Sequence, residues 1–215
     1  MIEEGREPVD QLLAEGRGVV LVTAHLGNAD VAAAVLAGEK VGIRAVRHDA
    51  ERPEIRALFE RVGAGRMPEV IDVNAAGRVT IRILGALREG CVVGMMGDRV
   101  VDGHWIECPF LGHPAPFPAG PFLVAAAARV PLVASFCVKE GVGSYRVVTL
   151  PPRTLVFEEG RPREEQVAEW VGWFAGELER LVRRHPFQWF NFFSFWEQEG
   201  LPPRVSADRI RSLPR

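Results

Sequence analysis

Short apolar runs alternate along the first half of the chain with segments whose apolar residues recur every three or four positions. The runs over residues 19–24, 41–46, 69–73 and 91–96 have the length and β-branched content of buried strands. Between them, 29–37, 51–62 and 75–88 carry helical spacing. Gly38 and Gly90 stop the first and last of these, and Pro53 stands near the start of the second. Before the first strand, residues 1–16 predict a short amphipathic helix with Val9, Leu12 and Leu13 on its apolar side. Continuous rather than alternating apolar strands, each followed by a helix, predict an α/β fold. Its central sheet is mainly parallel and is flanked by helices on both faces.

The alternation stops after residue 96. Residues 97–118 read as a long irregular stretch, and long loops in compact domains are usually functional. A small-residue helix is predicted over 119–129 and a strand over 131–138. A hairpin partner follows at 144–150, and 153–157 extends the sheet. Residues 162–184 form a long amphipathic helix with Val167, Trp170, Val171, Phe174, Leu178 and Leu181 on one side. An aromatic run over 187–196 follows. Residues 1–200 are thus read as one domain, and 201–215, with three prolines and four arginines, as a loose tail.

Composition narrows the function classes. Hydrophobic residues make up 47% and charged residues 25%, the balance of a globular domain. A net charge of -2 gives no basic field for nucleic acid. No stretch of 18 uncharged apolar residues exists to span a bilayer. Cys91, Cys108 and Cys137 lack paired spacing and read as buried thiols of a reducing compartment. This points to a cytoplasmic protein, with peripheral contact to the inner face of the cell membrane left open.

The candidate chemistry gathers at TAHLGNAD, where the first strand ends and a helix is about to begin. The carboxyl edge of an open α/β sheet is where such folds place their sites. His25 is a candidate general base. Asp30, on the first turn of the following helix, is a candidate carboxylate to orient the ring and stabilise the imidazolium. The alternative is a capping histidine beside a solvated aspartate. No G-x-S-x-G elbow is present, so a base here acts directly on a substrate hydroxyl or on water. His104, Cys108 and His113 with Asp98 and Asp102 match no standard zinc spacing, and no metal is expected.

TAHLGNAD resembles the H-x4-D/E motif of the glycerolipid acyltransferase superfamily. The longer run GRGVVLVTAHLGNAD is similar to one branch, the bacterial lipid A biosynthesis acyltransferases and the related phosphatidylinositol mannoside acyltransferases. GDRVVDGHWIECPFLGHPAPFPAGPFLVAAAARVPLVASF resembles the branch's acidic-Arg turn, Pro-x-Gly-Pro helix start and following strand. HPFQWFNFF is a weaker echo of its aromatic segment. Together these cover roughly residues 16–193. The branch usually carries a further N-terminal region, often with a hydrophobic anchor, whereas about 17 residues precede the first strand here. On that reading either lipid is reached through surface contacts alone or the acceptor is less membrane-bound. Lipid A as acceptor is then in doubt.

The resemblance implies a glycerolipid-acyltransferase-like fold and transfer of a fatty acyl group from acyl-CoA or acyl-carrier protein to a hydroxyl of a glycolipid or lysophospholipid. His25 would be the general base and Asp30 its orienting partner. The donor thioester is a substrate, and no cofactor is implied. Arg99, in the GDR turn, would face phosphate or a developing oxyanion, its alternative being an ion pair with Asp98 or Asp102. Asn28 and Asp98 fall in the same motifs and are grouped with the substrate-binding residues. Arg61 and Glu107 occupy stretches where the family often has polar site residues, with a solvated surface role as the alternative. Gly120, between Pro118 and Pro121, opens a helix whose N-H groups suit an anion as well as plain capping. The aromatic run either lines a lipid path, touches a bilayer surface, or packs on the sheet. The competing functions are a non-catalytic lipid or acyl-carrier binding protein and a thioesterase-like hydrolase.

Overall fold

The computed structural model describes residues 2–29, 31, 42–47, 69–73, 78–101, 104–197 and 201. The helix expected over 51–62, most of that over 29–37, and the tail lie outside the described residues, as do Asp30, Arg61 and Asp102.

The strands are β1 (Ile2–Glu4), β2 (Val19–Thr23), β3 (Ile43–Arg47), β4 (Glu69–Asp72), β5 (Val92–Met96), β6 (Trp105–Phe110), β7 (His113–Pro118), β8 (Pro131–Gly141), β9 (Ser144–Thr149) and β10 (Arg153–Thr154). The helices are α1 (Glu7–Ala14), α2 (Val79–Arg88), α3 (Gly120–Ala128) and α4 (Arg163–Arg184). The main sheet runs β1-β9-β8-β2-β5-β3-β4, with β10 also pairing β8. β8, β2, β5, β3 and β4 are mutually parallel, and β9 joins β8 antiparallel through the expected hairpin. This is the predicted α/β architecture with a mainly parallel central sheet flanked by helices.

β2 lies in the interior of the sheet, between β8 and β5. Its five residues are all buried, which is why its sequence is an unbroken apolar run. Val20, Val22 and Ala24 face the larger core with Phe122 of α3 and Phe174 of α4. Val19 and Leu21 face the other way, where Val9 of α1 covers them. α4 buries one stripe, Val167, Val171, Phe174, Leu178 and Leu181, spaced by three or four residues. Its acidic first turn and basic last turn complement the helix dipole.

Two expectations are corrected. Residues 2–4, read as part of the first helix, form β1 and pair parallel with β9, which leaves the helix to Glu7–Ala14. Much of the stretch read as irregular, 97–118, is a two-stranded ribbon, β6 paired antiparallel with β7. Leu111 and Gly112 both take positive φ in its two-residue turn, the geometry that matches strand twist. Ile106, Cys108 and Phe110 alternate inward and meet Ala115 and Phe117. Pro109, Pro114, Pro116 and Pro118 hid this pattern. They are tolerated because the ribbon has only two strands, so a missing donor breaks no interior ladder. The ribbon packs on α4, where Glu179 accepts from Leu111 N-H at 2.8 Å.

Candidate active site

The chain leaves β2 through Ala24 and turns at His25. Two glycines permit the turn. Gly27 has φ +67°, and a Cβ there would lie 1.8 Å from the Cys137 carbonyl oxygen. Gly97 donates its N-H to the Thr23 carbonyl at 2.7 Å, and a Cβ there would strike Val22 and Phe174 at 2.6 and 2.7 Å. The approach at Gly97 draws the end of β5 against the end of β2, and that at Gly27 sets the turn against β8. The residue after Gly97 is Asp98, and it comes to lie behind His25.

Asp98 is 2% exposed and is surrounded by donors. His25 Nδ1-H donates to Oδ1 at 2.9 Å, and His25 backbone N-H donates to Oδ2 at 2.8 Å. The indole Nε1-H of Trp189 donates to Oδ2 at 3.1 Å. A carboxylate with so little exposure needs such partners. Its only bond to the ring places the mobile proton on Nδ1, so the Nε2 lone pair is the free one. The hydrogen bond to the Asp98 carboxylate raises the imidazole above its ordinary value of 6.5. Burial of the ring opposes this, the Asp98 charge adds to it, and the Arg99 charge works against it.

His25 opens on a cavity of about 300 Å³ at the carboxyl ends of β2, β3, β4 and β5. Val46, Val73, Met95, Met96 and Val101 supply apolar wall, and Arg47 and Arg99 supply two guanidiniums. Pro118, Gly120 and Pro121 close one side with the N-terminal turn of α3. A larger cavity of about 770 Å³ lies at the other end of α3, lined by Arg129, Leu155, Phe157 and Arg161 among others. His25 lines the smaller cavity and not this one, so the smaller cavity is the candidate site.

The structure therefore brings together His25, Asp98, Arg99 and Gly120. Asn28 sits just beyond them, and its side-chain oxygen accepts from the Val31 N-H at 3.1 Å, the bond of a helix N-cap. Glu107 is exposed on β6 and does not line the cavity. Arg99 stacks over the Phe193 ring at 4.7 Å. Asp30 and Arg61 lie outside the described residues. Burial is the main reason the thiols of Cys108 and Cys137 are pushed up to about 11, which makes them poor nucleophiles. Among the described residues no group of three or more His, Cys, Asp or Glu gathers as a metal site.

Sequence reasoning missed Arg47 and the bond from Trp189. The first ends β3 as one arginine among many. The second sits 91 residues from its acceptor, inside an aromatic run whose inward members are not marked by spacing. In the structure Trp189 and Phe195 turn in toward Phe110, while Phe187, Phe190 and Phe192 stay exposed.

The sequence model of the bacterial lipid A biosynthesis acyltransferases matches residues 3–198. Phosphatidylinositol mannoside acyltransferase of Mycobacterium tuberculosis strain H37Rv is 31% identical over 143 residues, and that of strain CDC 1551 matches equally. The match covers 65% of this chain and 44% of each relative, so the chain spans less than half the length of the curated relatives it matches. The 1-acyl-sn-glycerophosphate acyltransferase PlsC of Thermotoga maritima is similar in structure with a TM-score of 0.48 at 15% identity. That likeness covers 88% of this chain and 73% of PlsC.

Proposed function

From the premise that the chain belongs to the bacterial lipid A biosynthesis acyltransferase family, we propose that it moves a fatty acyl group from an acyl thioester, acyl-CoA or acyl-carrier protein, to a hydroxyl of a glycolipid or lysophospholipid. The observation that carries this reading is the His25–Asp98 pair opening on the cavity. Nε2 of His25 removes the proton of the acceptor hydroxyl as its oxygen attacks the thioester carbonyl. The thiolate leaves and recovers that proton from the imidazolium. Acceptor and donor are bound together, and no acyl group rests on the protein. Proton transfer of this kind is worth roughly 10²–10⁴ in rate.

Asp98 takes the orienting role, because its bond to Nδ1 holds the tautomer that leaves Nε2 basic. Its two oxygens are occupied by three donors from the chain itself, which argues for positioning over substrate binding. Asp30, the expected partner, completes the H-x4-D spacing in sequence. Arg99, Arg47 and the α3 N-terminus at Gly120 line the side of the cavity where an oxyanion or a phosphate would be held. The apolar wall receives the acyl chain, each buried methylene contributing about 0.8 kcal/mol. Among the described residues no helix is long and apolar enough to cross a membrane.

The test is thiol release from a panel of acyl thioesters, with and without lysolipid or glycolipid acceptor, for the natural chain and His25→Ala. Acceptor-dependent release and an ester product, lost at least a hundredfold in His25→Ala, are the expected results. Free fatty acid with no acceptor-linked ester would mark a hydrolase. Turnover unaffected by His25→Ala would move the chemistry elsewhere.

A further inference from the structure

We propose that the aromatic segment beside the active site docks the protein on an anionic lipid surface, with Phe187, Phe190 and Phe192 entering the interface and Lys139 and Arg184 meeting phosphate headgroups. The proposal rests on the lipid-acceptor reading and names the surface that would serve it.

Phe187 is 95% exposed, Phe192 90% and Phe190 46%. Scattered exposed phenyl groups need no explanation, but here three fall within six residues of the chain. The Phe190 and Phe192 rings lie 6.2 Å apart. The exposure is imposed by a fastened backbone. Gly27 N-H donates to the Gln188 carbonyl at 2.7 Å, and Phe190 N-H donates to the His25 carbonyl at 2.8 Å. The Gln188 side chain clamps Lys139, accepting from its N-H at 2.7 Å and donating to its carbonyl at 2.8 Å. Trp189 is tied inward by Asp98. With its polar and indole groups committed inward, the segment presents its phenyl groups outward.

The charge around the segment fits one partner. Lys139 is joined to the segment through Gln188, and Arg184 ends α4 two residues before Pro186. Both are exposed, and neither makes an ion pair among the described residues. Their neighbours differ, since Arg183 is paired with Glu179 and Glu140 with Arg146. Among the described residues, two cations without an ion pair thus adjoin the aromatic segment, one through Gln188 and one at the end of the preceding helix. Aromatic rings flanked by cations suit the boundary between headgroups and acyl chains of an anionic leaflet. The same segment is bonded to the His25 carbonyl, so docking it brings the site to the surface from which a lipid hydroxyl would enter.

The experiment is co-sedimentation with vesicles of phosphatidylcholine alone and of phosphatidylcholine with phosphatidylglycerol. The proteins are the natural chain, Phe187→Ser/Phe192→Ser, Lys139→Glu/Arg184→Glu and His25→Ala, with circular dichroism confirming that each is folded. Both phenyl groups are almost wholly exposed, so their replacement removes little packing. The natural chain should prefer the anionic vesicles. The aromatic pair should lower that partition at least tenfold. The charge pair should lower it by a similar factor, at about fivefold per cation, and leave binding to the neutral vesicles unchanged. Equal partition of the natural chain into both vesicles, no vesicle binding, or an aromatic variant that binds as well as the natural chain overturns the proposal. His25→Ala separates the two readings: it should lose turnover and keep vesicle binding. If it keeps turnover while vesicle binding still depends on Phe187 and Phe192, the acyl-transfer reading fails and the docking surface stands.

Discussion

Asp98→Asn keeps the size of the side chain and removes its charge. One acceptor oxygen remains, and the backbone N-H of His25 and the indole of Trp189 hold it at the Oδ2 position. The amide nitrogen then occupies the Oδ1 position, 2.9 Å from Nδ1, and presents an N-H to the ring. The imidazole must respond by moving its proton to Nε2, which removes the basic lone pair from the cavity. The electrostatic loss adds to this. Unit charges about 4 Å apart at an effective dielectric near 20 attract by about 4 kcal/mol. The His25 side chain is 41% exposed, so screening leaves about 2–3 kcal/mol. That corresponds to a fall in kcat of about 30- to 150-fold, with the tautomer change adding to it. The assay is acceptor-dependent thioester turnover against pH. Neutral imidazole is the active form, and Asp98 raises its pKa, so activity falls on the acid side below that raised value. In Asp98→Asn the acid limb should move to lower pH while the plateau falls. A variant within threefold of the natural rate, with its acid limb unmoved, would refute the reasoning. So would an Asp30→Asn variant that lost more activity and moved the limb while Asp98→Asn did not.

Three further outcomes are expected. Trp189→Phe keeps a ring in the cluster with Phe110 and Phe195 but removes the donor to Asp98, so kcat should fall severalfold, about 1 kcal/mol, with KM little changed in steady-state assays. Gly27→Ala forces a Cβ toward the Cys137 carbonyl at positive φ, and should destabilise the fold by more than about 2 kcal/mol in urea unfolding. Because His25 has a raised pKa in the folded chain, its bond to Asp98 contributes its full stability below pH 6.5, the ordinary histidine value. That contribution is lost as pH rises through the folded value. Urea midpoints measured across this window should show the loss in the natural chain and its absence in Asp98→Asn.

Much of the architecture was legible in the chain because burial on both faces leaves a mark that sequence carries directly. The unbroken run over 19–24 is apolar since β2 has strands on both edges and helices on both faces. Gly27 and Gly97 were visible as breaks at strand ends, and His25, just before the first of them, as a polar residue at the carboxyl edge of the sheet. The β6–β7 ribbon was not seen, although Ile106, Cys108 and Phe110 alternate as a strand should. Its four prolines are the strongest local signal against a strand, and only pairing between two strands alone makes them harmless.

What the sequence alone determined is therefore a parallel α/β sheet with a histidine at the end of an inner strand. That Asp98 bonds this histidine was decided by tertiary structure. Spacing pointed to Asp30, five residues on and outside the described residues, and could not point to Asp98, because local neighbours are all that spacing can compare. The bond to Nδ1 comes from Asp98, 73 residues away, because β2 and β5 are adjacent and end together, and a Cβ-less Gly97 lets them close. The division of the aromatic run had the same origin. Seven rings within ten residues carry no periodic mark of which turn inward, and that was settled by a buried carboxylate needing a third donor and a core able to take only some of the rings.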